Sequence, residues 1–179
     1  MSNLDHNSII AVIGAGTMGA GIAQVAANAG HSVLLFDNKP GASLAGIEEI
    51  YRGLSTLVAK GKKTQSALDD LISRIIPCEQ IDQLANANLI IEAIVENLSV
   101  KQNVFNQLQN LCDESTVLAT NTSSISVTSI AAGLKWPDKL VGMHFFNPAP
   151  IMKLVEVISG VATDENIAKQ VYELASSWG

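Results

Sequence analysis

His144 and Glu156 are the residues whose types and setting point most directly to proton chemistry. His144 ends the apolar run Leu140-Val-Gly-Met143 and is followed by Phe145-Phe-Asn-Pro-Ala-Pro150. If that run is a strand of an open α/β sheet, its carboxyl end is where ligands bind, and the Pro-rich segment fixes the loop beyond it. An imidazole titrates near neutrality and can take a hydroxyl proton as hydride leaves the same carbon, the requirement of a metal-free alcohol oxidation. Glu156 lies within Leu154-Val-Glu-Val-Ile158, a costly place for a carboxylate without a partner. Bonded to one imidazole nitrogen, it would fix the tautomer and steady the imidazolium. Alternation along the run equally permits an edge strand, with Glu156 facing solvent and His144 an ordinary core histidine.

Two further clusters follow apolar runs in the same way. Ala119 to Ser124 reads Ala-Thr-Asn-Thr-Ser-Ser, which by itself is a turn or a helix cap. At the carboxyl end of a strand in a nucleotide-binding sheet, Ser123 can donate to a substrate oxygen and Asn121 can meet a ribose. Glu96 follows the run Leu89 to Val95, and Lys101 stands one turn into the next helix. These two are expected to pair as a surface ion pair of small energetic worth.

The strand that would organise this site opens the chain. Ile9 to Gly30 is an apolar run, then Gly14, Gly16 and Gly19 in G-x-G-x-x-G spacing, then an Ala-rich segment of helical periodicity. The order strand, tight turn, helix gives each glycine a task. Gly14 allows the turn, Gly16 removes the Cβ that would hold a pyrophosphate away, and Gly19 lets the helix pack on the strand. The N-terminus of that helix then offers free N–H groups and a partial positive charge to the phosphates. With 13 glycines in the chain the spacing alone is weak. The context strengthens it: the run Val33-Leu-Leu-Phe36 ends at Asp37, about 20 residues on, where a carboxylate accepts from ribose hydroxyls. That carboxylate repels a 2′-phosphate and favours NAD over NADP, with Lys39 softening the repulsion. The plainer reading of Asp37 is a turn cap.

Composition sets outer limits. A length of 179 residues suits one well-cored domain. The net charge is −6, and the lysines and arginines are scattered except for Lys60 to Lys63, so there is no basic footprint for nucleic acid. No run of apolar residues is long enough to span a bilayer, and nothing resembles a signal peptide. A soluble, cytoplasmic protein is expected, with no membrane or nucleic-acid partner. Cys78, Cys112, His6, His31 and His144 are dispersed, so no metal site is expected and the cysteines read as small apolar fillers.

Strand-like runs at Ile9 to Ile13, Val33 to Phe36, Leu89 to Val95, Val117 to Thr120, Leu140 to His144 and Lys153 to Ile158 alternate with helical patterns. They predict a doubly wound, mainly parallel α/β sheet of the Rossmann type occupying 1–179. Ser43 to Ala59 and Thr64 to Ile75 carry helical spacing around the break Lys60-Gly-Lys-Lys63, which predicts a helical hairpin inserted at about 43–76, over the cofactor cleft. Its lysines read as a solvated turn or as a cationic tip for a polyphosphate. Ser99 is expected to cap Val100 to Leu111, and Asp164 to cap Glu165 to Trp178.

Together, Gly14-Ala-Gly-Thr-Met-Gly-Ala-Gly-Ile-Ala-Gln24, Glu92-Ala-Ile-Val-Glu96-Asn97, Asn121-Thr-Ser-Ser124 and His144-Phe-Phe-Asn-Pro-Ala-Pro150 resemble the NAD-binding domain of the L-3-hydroxyacyl-CoA dehydrogenases. The likeness runs over essentially the whole chain, and its His-Phe-Phe-Asn-Pro element is far more specific than the glycine loop. The resemblance implies His144 as catalytic base, Glu156 as its partner and Ser123 as the contact to the substrate 3-oxygen. It implies cofactor contacts at Gly14, Ala15, Gly16, Thr17, Met18, Gly19, Asp37, Glu96, Lys101, Ser123 and Asn147, and a coenzyme A contact near Lys60. It further implies a helical C-terminal domain, absent from these residues, that supplies an asparagine, the acyl pocket and a homodimer interface. The expected reaction is reversible NAD-dependent oxidation of an (S)-3-hydroxyacyl-CoA in fatty-acid oxidation or related acyl-CoA metabolism, such as phenylacetate breakdown. Two other readings remain: a module that holds NAD without turnover, and a β-hydroxyacid dehydrogenase acting on a free acid.

Overall fold

The computed structural model describes residues 4–179. Seven strands form one sheet in the order β3-β2-β1-β4-β5-β6-β7. They are β1 (Ile10–Ile13), β2 (Val33–Phe36), β3 (Ile75–Cys78), β4 (Leu89–Glu92), β5 (Val117–Thr120), β6 (Leu140–Phe145) and β7 (Val155–Ser159). The first six run parallel, and β7 returns antiparallel to β6. Both faces of the central strands are covered, which is why β1, β4 and β5 read as unbroken apolar runs rather than alternating ones. The chain reverses direction across the sheet between β1 and β4, the position at which such sheets bind dinucleotides.

One face packs on α1 (Thr17–Asn28), α2 (Ala42–Ala59), α3 (Gln65–Ser73) and α6 (Glu165–Ser177). The other packs on α4 (Leu98–Leu111) and α5 (Val127–Ala131) through Phe105, Leu108 and Ile130. Helix α6 shows how sequence sets an element: Asp164 accepts from the N–H groups of Asn166 and Ile167, and Ile167, Val171 and Leu174 form the buried stripe. Such a cap contributes about 1 kcal/mol, and each buried side chain about 1.5–3 kcal/mol.

Several local expectations are corrected. Ile75 begins β3 rather than ending a helix; Pro77 hides the strand, being tolerated because β3 is the sheet edge. The cap of α4 is Asn97, which accepts from Val100 N–H, while the Ser99 hydroxyl donates to Asn97. The run after Leu89 leaves the sheet at Glu92, three residues before Val95. Burial pushes the Cys112 thiol up to about 11 and raises Cys78, which leaves both as inert apolar fillers.

Candidate active site

The carboxyl ends of β1, β2, β4, β5 and β6 converge on one rim of the sheet. The glycine turn comes first. Gly14 has φ +97°, and a Cβ there would stand 2.5 Å from the Ala93 carbonyl oxygen. A Cβ on Gly19 would stand 1.7 Å from the Gly14 carbonyl oxygen, so the helix cannot start this close to β1 with any other residue. At Gly16 a Cβ would meet nothing within 4 Å; its space opens on the cleft. No side chain caps α1, which leaves first-turn N–H groups facing that space. The Asp37 carboxylate accepts from Ala15 N–H at 2.8 Å and from Lys39 N–H at 2.9 Å. It is therefore both a turn cap and a brace for the glycine loop at the cleft.

Two cavities flank this turn. One of about 550 Å³ lies between the glycine turn, Asp37 and the apolar residues Ile81, Ile94, Val100 and Val104. The other, about 860 Å³, lies between Gly16, the first half of α2 and Asn147 to Pro150. A polar cradle with an open Cβ position between an apolar slot and a broad cleft fits a dinucleotide. Small residues make the broad cleft: Ala42, Ala45 and Gly46 line it from α2. Its cations are Lys39 and Arg52. Lys60, expected to reach this region, instead ends α2 at the exposed tip of the hairpin and does not line the cavity. Lys63 turns to Asn28 on α1.

His144 and Glu156 are directly paired residues of the β6–β7 ladder. His144 Nδ1 lies 2.9 Å from Glu156 Oε2. A bond to a carboxylate requires Nδ1 to carry a proton, so the neutral ring in this arrangement has its lone pair on Nε2, which meets no hydrogen-bond partner among the described residues. Phe146 packs on the ring, 4.7 Å between centroids. The strand β7 is an edge, as the alternative reading had it, and Glu156 is 51% exposed. The carboxylate nevertheless meets the imidazole. A core histidine of this protein looks different: His31 is buried, donates from Nδ1 to the Ser8 carbonyl, and accepts the Trp178 indole N–H at Nε2.

Between these regions lie Glu96, Lys101 and the turn after β5. Ser123 is exposed and its N–H donates to Glu96 Oε1 at 3.0 Å. Glu96 Oε1 also accepts from Ser124 N–H, the Ser124 hydroxyl and the Thr122 hydroxyl. Burial would raise the Glu96 carboxyl. The Thr122 and Lys101 hydrogen bonds, the Lys101 charge and the Ser123 N–H outweigh it and hold the group down to about 2. Asn121 does not present its carbonyl to the cleft: that oxygen accepts from Phe145 N–H at 2.8 Å and ties β5 to the strand carrying His144.

The Glu96–Lys101 pair exists, at 3.2 Å, but the expectation of a surface pair is corrected. Lys101 is 1% exposed, and its nearer partner is Glu92, fully buried, at 2.7 Å. The rule applied to Glu156, a carboxylate inside an apolar run, points to Glu92 in Leu89-Ile-Ile-Glu-Ala-Ile-Val95 with equal force.

Comparison with known proteins agrees with this geometry. Residues 9–179 match the family described as 3-hydroxyacyl-CoA dehydrogenase, NAD binding domain. The chain is 51% identical over 170 residues to 3-hydroxyadipyl-CoA dehydrogenase of Escherichia coli (strain K12), covering 95% of this chain and 36% of that protein. It is 46% identical to 3-hydroxybutyryl-CoA dehydrogenase of Clostridioides difficile, covering 94% and 60% respectively. A crystal structure of (S)-3-hydroxybutyryl-CoA dehydrogenase from Ralstonia eutropha superposes with a TM-score of 0.93 at 36% identity, over 97% of this chain and 61% of that one. The chain thus spans about a third of the first of these relatives and about three fifths of the second.

Proposed function

Because the chain belongs to the 3-hydroxyacyl-CoA dehydrogenase family, we propose that it carries the cofactor-binding and proton-transfer half of an enzyme that oxidises an (S)-3-hydroxyacyl-CoA reversibly to the 3-ketoacyl-CoA. The observation that carries this reading is the His144 Nδ1 to Glu156 Oε2 bond of 2.9 Å beside an unpartnered Nε2. NAD, when bound, supplies the hydride acceptor. Gly14 to Gly19 hold its pyrophosphate, Asp37 its adenosine ribose, and Glu96, Ser123 and Asn147 the nicotinamide half. Lys101 serves that half through Glu96, since its ammonium is enclosed by two carboxylates.

On the substrate side, His144 Nε2 takes the hydroxyl proton, and Glu156 steadies the imidazolium that forms. The Ser123 hydroxyl donates to the oxygen as it becomes a carbonyl. In the reverse direction the imidazolium returns the proton. Coenzyme A phosphates are met by the cations that line the broad cleft, Lys39 and Arg52, and by Lys60 at the hairpin tip. For the whole protein the reading extends to a homodimer in the cytoplasm.

NADH fluorescence and 3-hydroxybutyryl-CoA oxidation measured on the same preparation test the proposal. Binding with turnover supports it; no affinity for NADH sinks it. Binding without turnover supports a second reading, a module that holds NAD and needs more protein for catalysis. The exposed apolar side chains Ile151, Met152 and Leu154 beside the Asn147 to Pro150 loop favour that reading for these residues alone. Oxidation of free 3-hydroxy acids in preference to their CoA thioesters would replace both with a β-hydroxyacid enzyme.

A further inference from the structure

The turn that carries Ser123 is held by a side chain rather than by backbone bonds. Ser123 N–H has one acceptor, Glu96 Oε1 at 3.0 Å; Ser124 N–H has that oxygen at 3.2 Å and the Thr122 hydroxyl at 3.4 Å. Glu96 is itself 38% exposed, and Lys101 is the cation that anchors its other oxygen. Lys101 in turn is fixed from below. Glu92 Oε1 accepts from its ammonium at 2.7 Å and from Ile94 N–H at 2.8 Å, and Glu92 Oε2 accepts the Thr120 hydroxyl at 2.8 Å. Alternating charges, minus, plus, minus, therefore run from the interior of the sheet to the exposed turn. Every carboxylate oxygen and the ammonium are spoken for before any ligand arrives.

We infer that Glu92 and Lys101 are positioning residues that set Ser123 through Glu96, with Glu92 fixing the height of the Lys101 ammonium at the carboxyl end of β4. Ser123 matters here because of the role proposed for it above, so the inference rests on that reading. A buried carboxylate at this point is otherwise unexplained: apolar pairs of similar volume fill such positions at no loss of stability. What they cannot do is hold a half-exposed carboxylate under four donors of one turn.

The test uses the double variant Glu92→Leu/Lys101→Met, which removes both buried charges together and leaves neither unpaired. Amide exchange at Ser123 and Ser124 and the titration of the Glu96 carboxyl are followed by NMR. The expected result is exchange about tenfold faster at both amides, the loss of one hydrogen bond's worth of protection, with amides of β1 and β5 unchanged and Glu96 titrating higher than in the parent. Glu92→Gln, which can accept from Lys101 and Ile94 and donate to Thr120, is expected to keep the protection at both serines. Unaltered exchange and an unmoved Glu96 titration in the double variant overturn the inference. If that variant does not fold, Glu92→Gln/Lys101→Met, which also removes both charges but keeps an amide to accept from Ile94 N–H and donate to the Thr120 hydroxyl, gives the same two readings. Ser123→Ala separates the two claims: turnover and NADH affinity untouched by it would remove the role of Ser123, while the exchange result would stand or fall by itself.

Discussion

Two carboxylate–cation pairs stand on the same rim of one sheet and are built in opposite ways. Lys101 and Glu92 at the end of β4 are 1% and 0% exposed; His144 and Glu156 at the end of β6 and β7 are 17% and 51% exposed. The first pair joins central strand β4, through Glu92, to helix α4, through Lys101, and among the described residues no buried side-chain polar atom there lacks a partner. The second lies at the edge of the sheet, with one ring nitrogen unoccupied. Burial suits a pair whose task is to stay in place, because changing its charge would strand a partner in low dielectric. Partial exposure suits a pair that must gain and release a proton, because the imidazolium can be hydrated and the carboxylate is not trapped.

If that division is right, removing the edge pair should cost rate, and breaking the central pair by taking away one partner should cost stability. The largest effect is expected from His144→Gln: turnover should fall by roughly 10²–10⁴, with NADH affinity and melting temperature close to the parent, checked by steady-state kinetics on an active preparation and by fluorescence titration. Full activity in that variant would break the comparison at its catalytic end. Next is Lys101→Met, which leaves Glu92 buried without its cation and should cost about 3–5 kcal/mol of unfolding free energy. The exposed Glu49–Arg52 pair, 71% exposed on both sides, is its control: Arg52→Met should change stability by less than about 1 kcal/mol. Urea denaturation of the two variants reads the difference directly, and equal losses would show that burial is not what distinguishes the pairs. Glu156→Gln comes third. Its amide oxygen can still accept from Nδ1 but carries no charge for the imidazolium, so turnover should drop by about 10–100-fold, with unfolding unchanged.

The same contrast explains what could be read from the residues alone. The edge pair was legible because each member sits in a short apolar run bounded by Pro or Gly, where a charged residue is conspicuous and the two runs are neighbours in the chain. The glycine turn and Asp37 were legible because a backbone requirement, φ +97° at Gly14 and a Cβ clash at Gly19, dictates residue type. The central pair is half legible: Glu92 stands out as a carboxylate inside an apolar run, whereas the depth of Lys101 depends on how α4 packs over β4 and on the register of Glu92 with Thr120, which no local pattern carries. The edge strand at Ile75 was hidden by Pro77, and the cap of α4 fell on Asn97 because Ser99 competes for the same role two residues later. Lys60 enters through the resemblance rather than through any local pattern, and in the fold it ends α2 outside the residues that line the broad cleft.

Glu96 joins the two regimes, and acid separates it from both. It is anchored by the buried cation yet 38% exposed, and its carboxyl is held down to about 2 from 4.5. A group whose folded value lies below its unfolded one stabilises the fold above the unfolded value and ceases to do so as pH falls through the folded one. The contribution of Glu96 should therefore be complete above about pH 4.5 and disappear between there and pH 2. The shift corresponds to about 3 kcal/mol in full, and solvent screening of a half-exposed group reduces the expected loss to about 1–2 kcal/mol. Urea denaturation at intervals across that window, compared between the parent and Glu96→Gln, isolates it: the variant should start lower by that amount at neutral pH and converge with the parent near pH 2. Because Glu96 holds Ser123 and Ser124, their amide protection should fade over the same interval. Parallel pH curves for parent and variant would mean that Lys101 spends its charge on Glu92 alone and that the turn is held by something else.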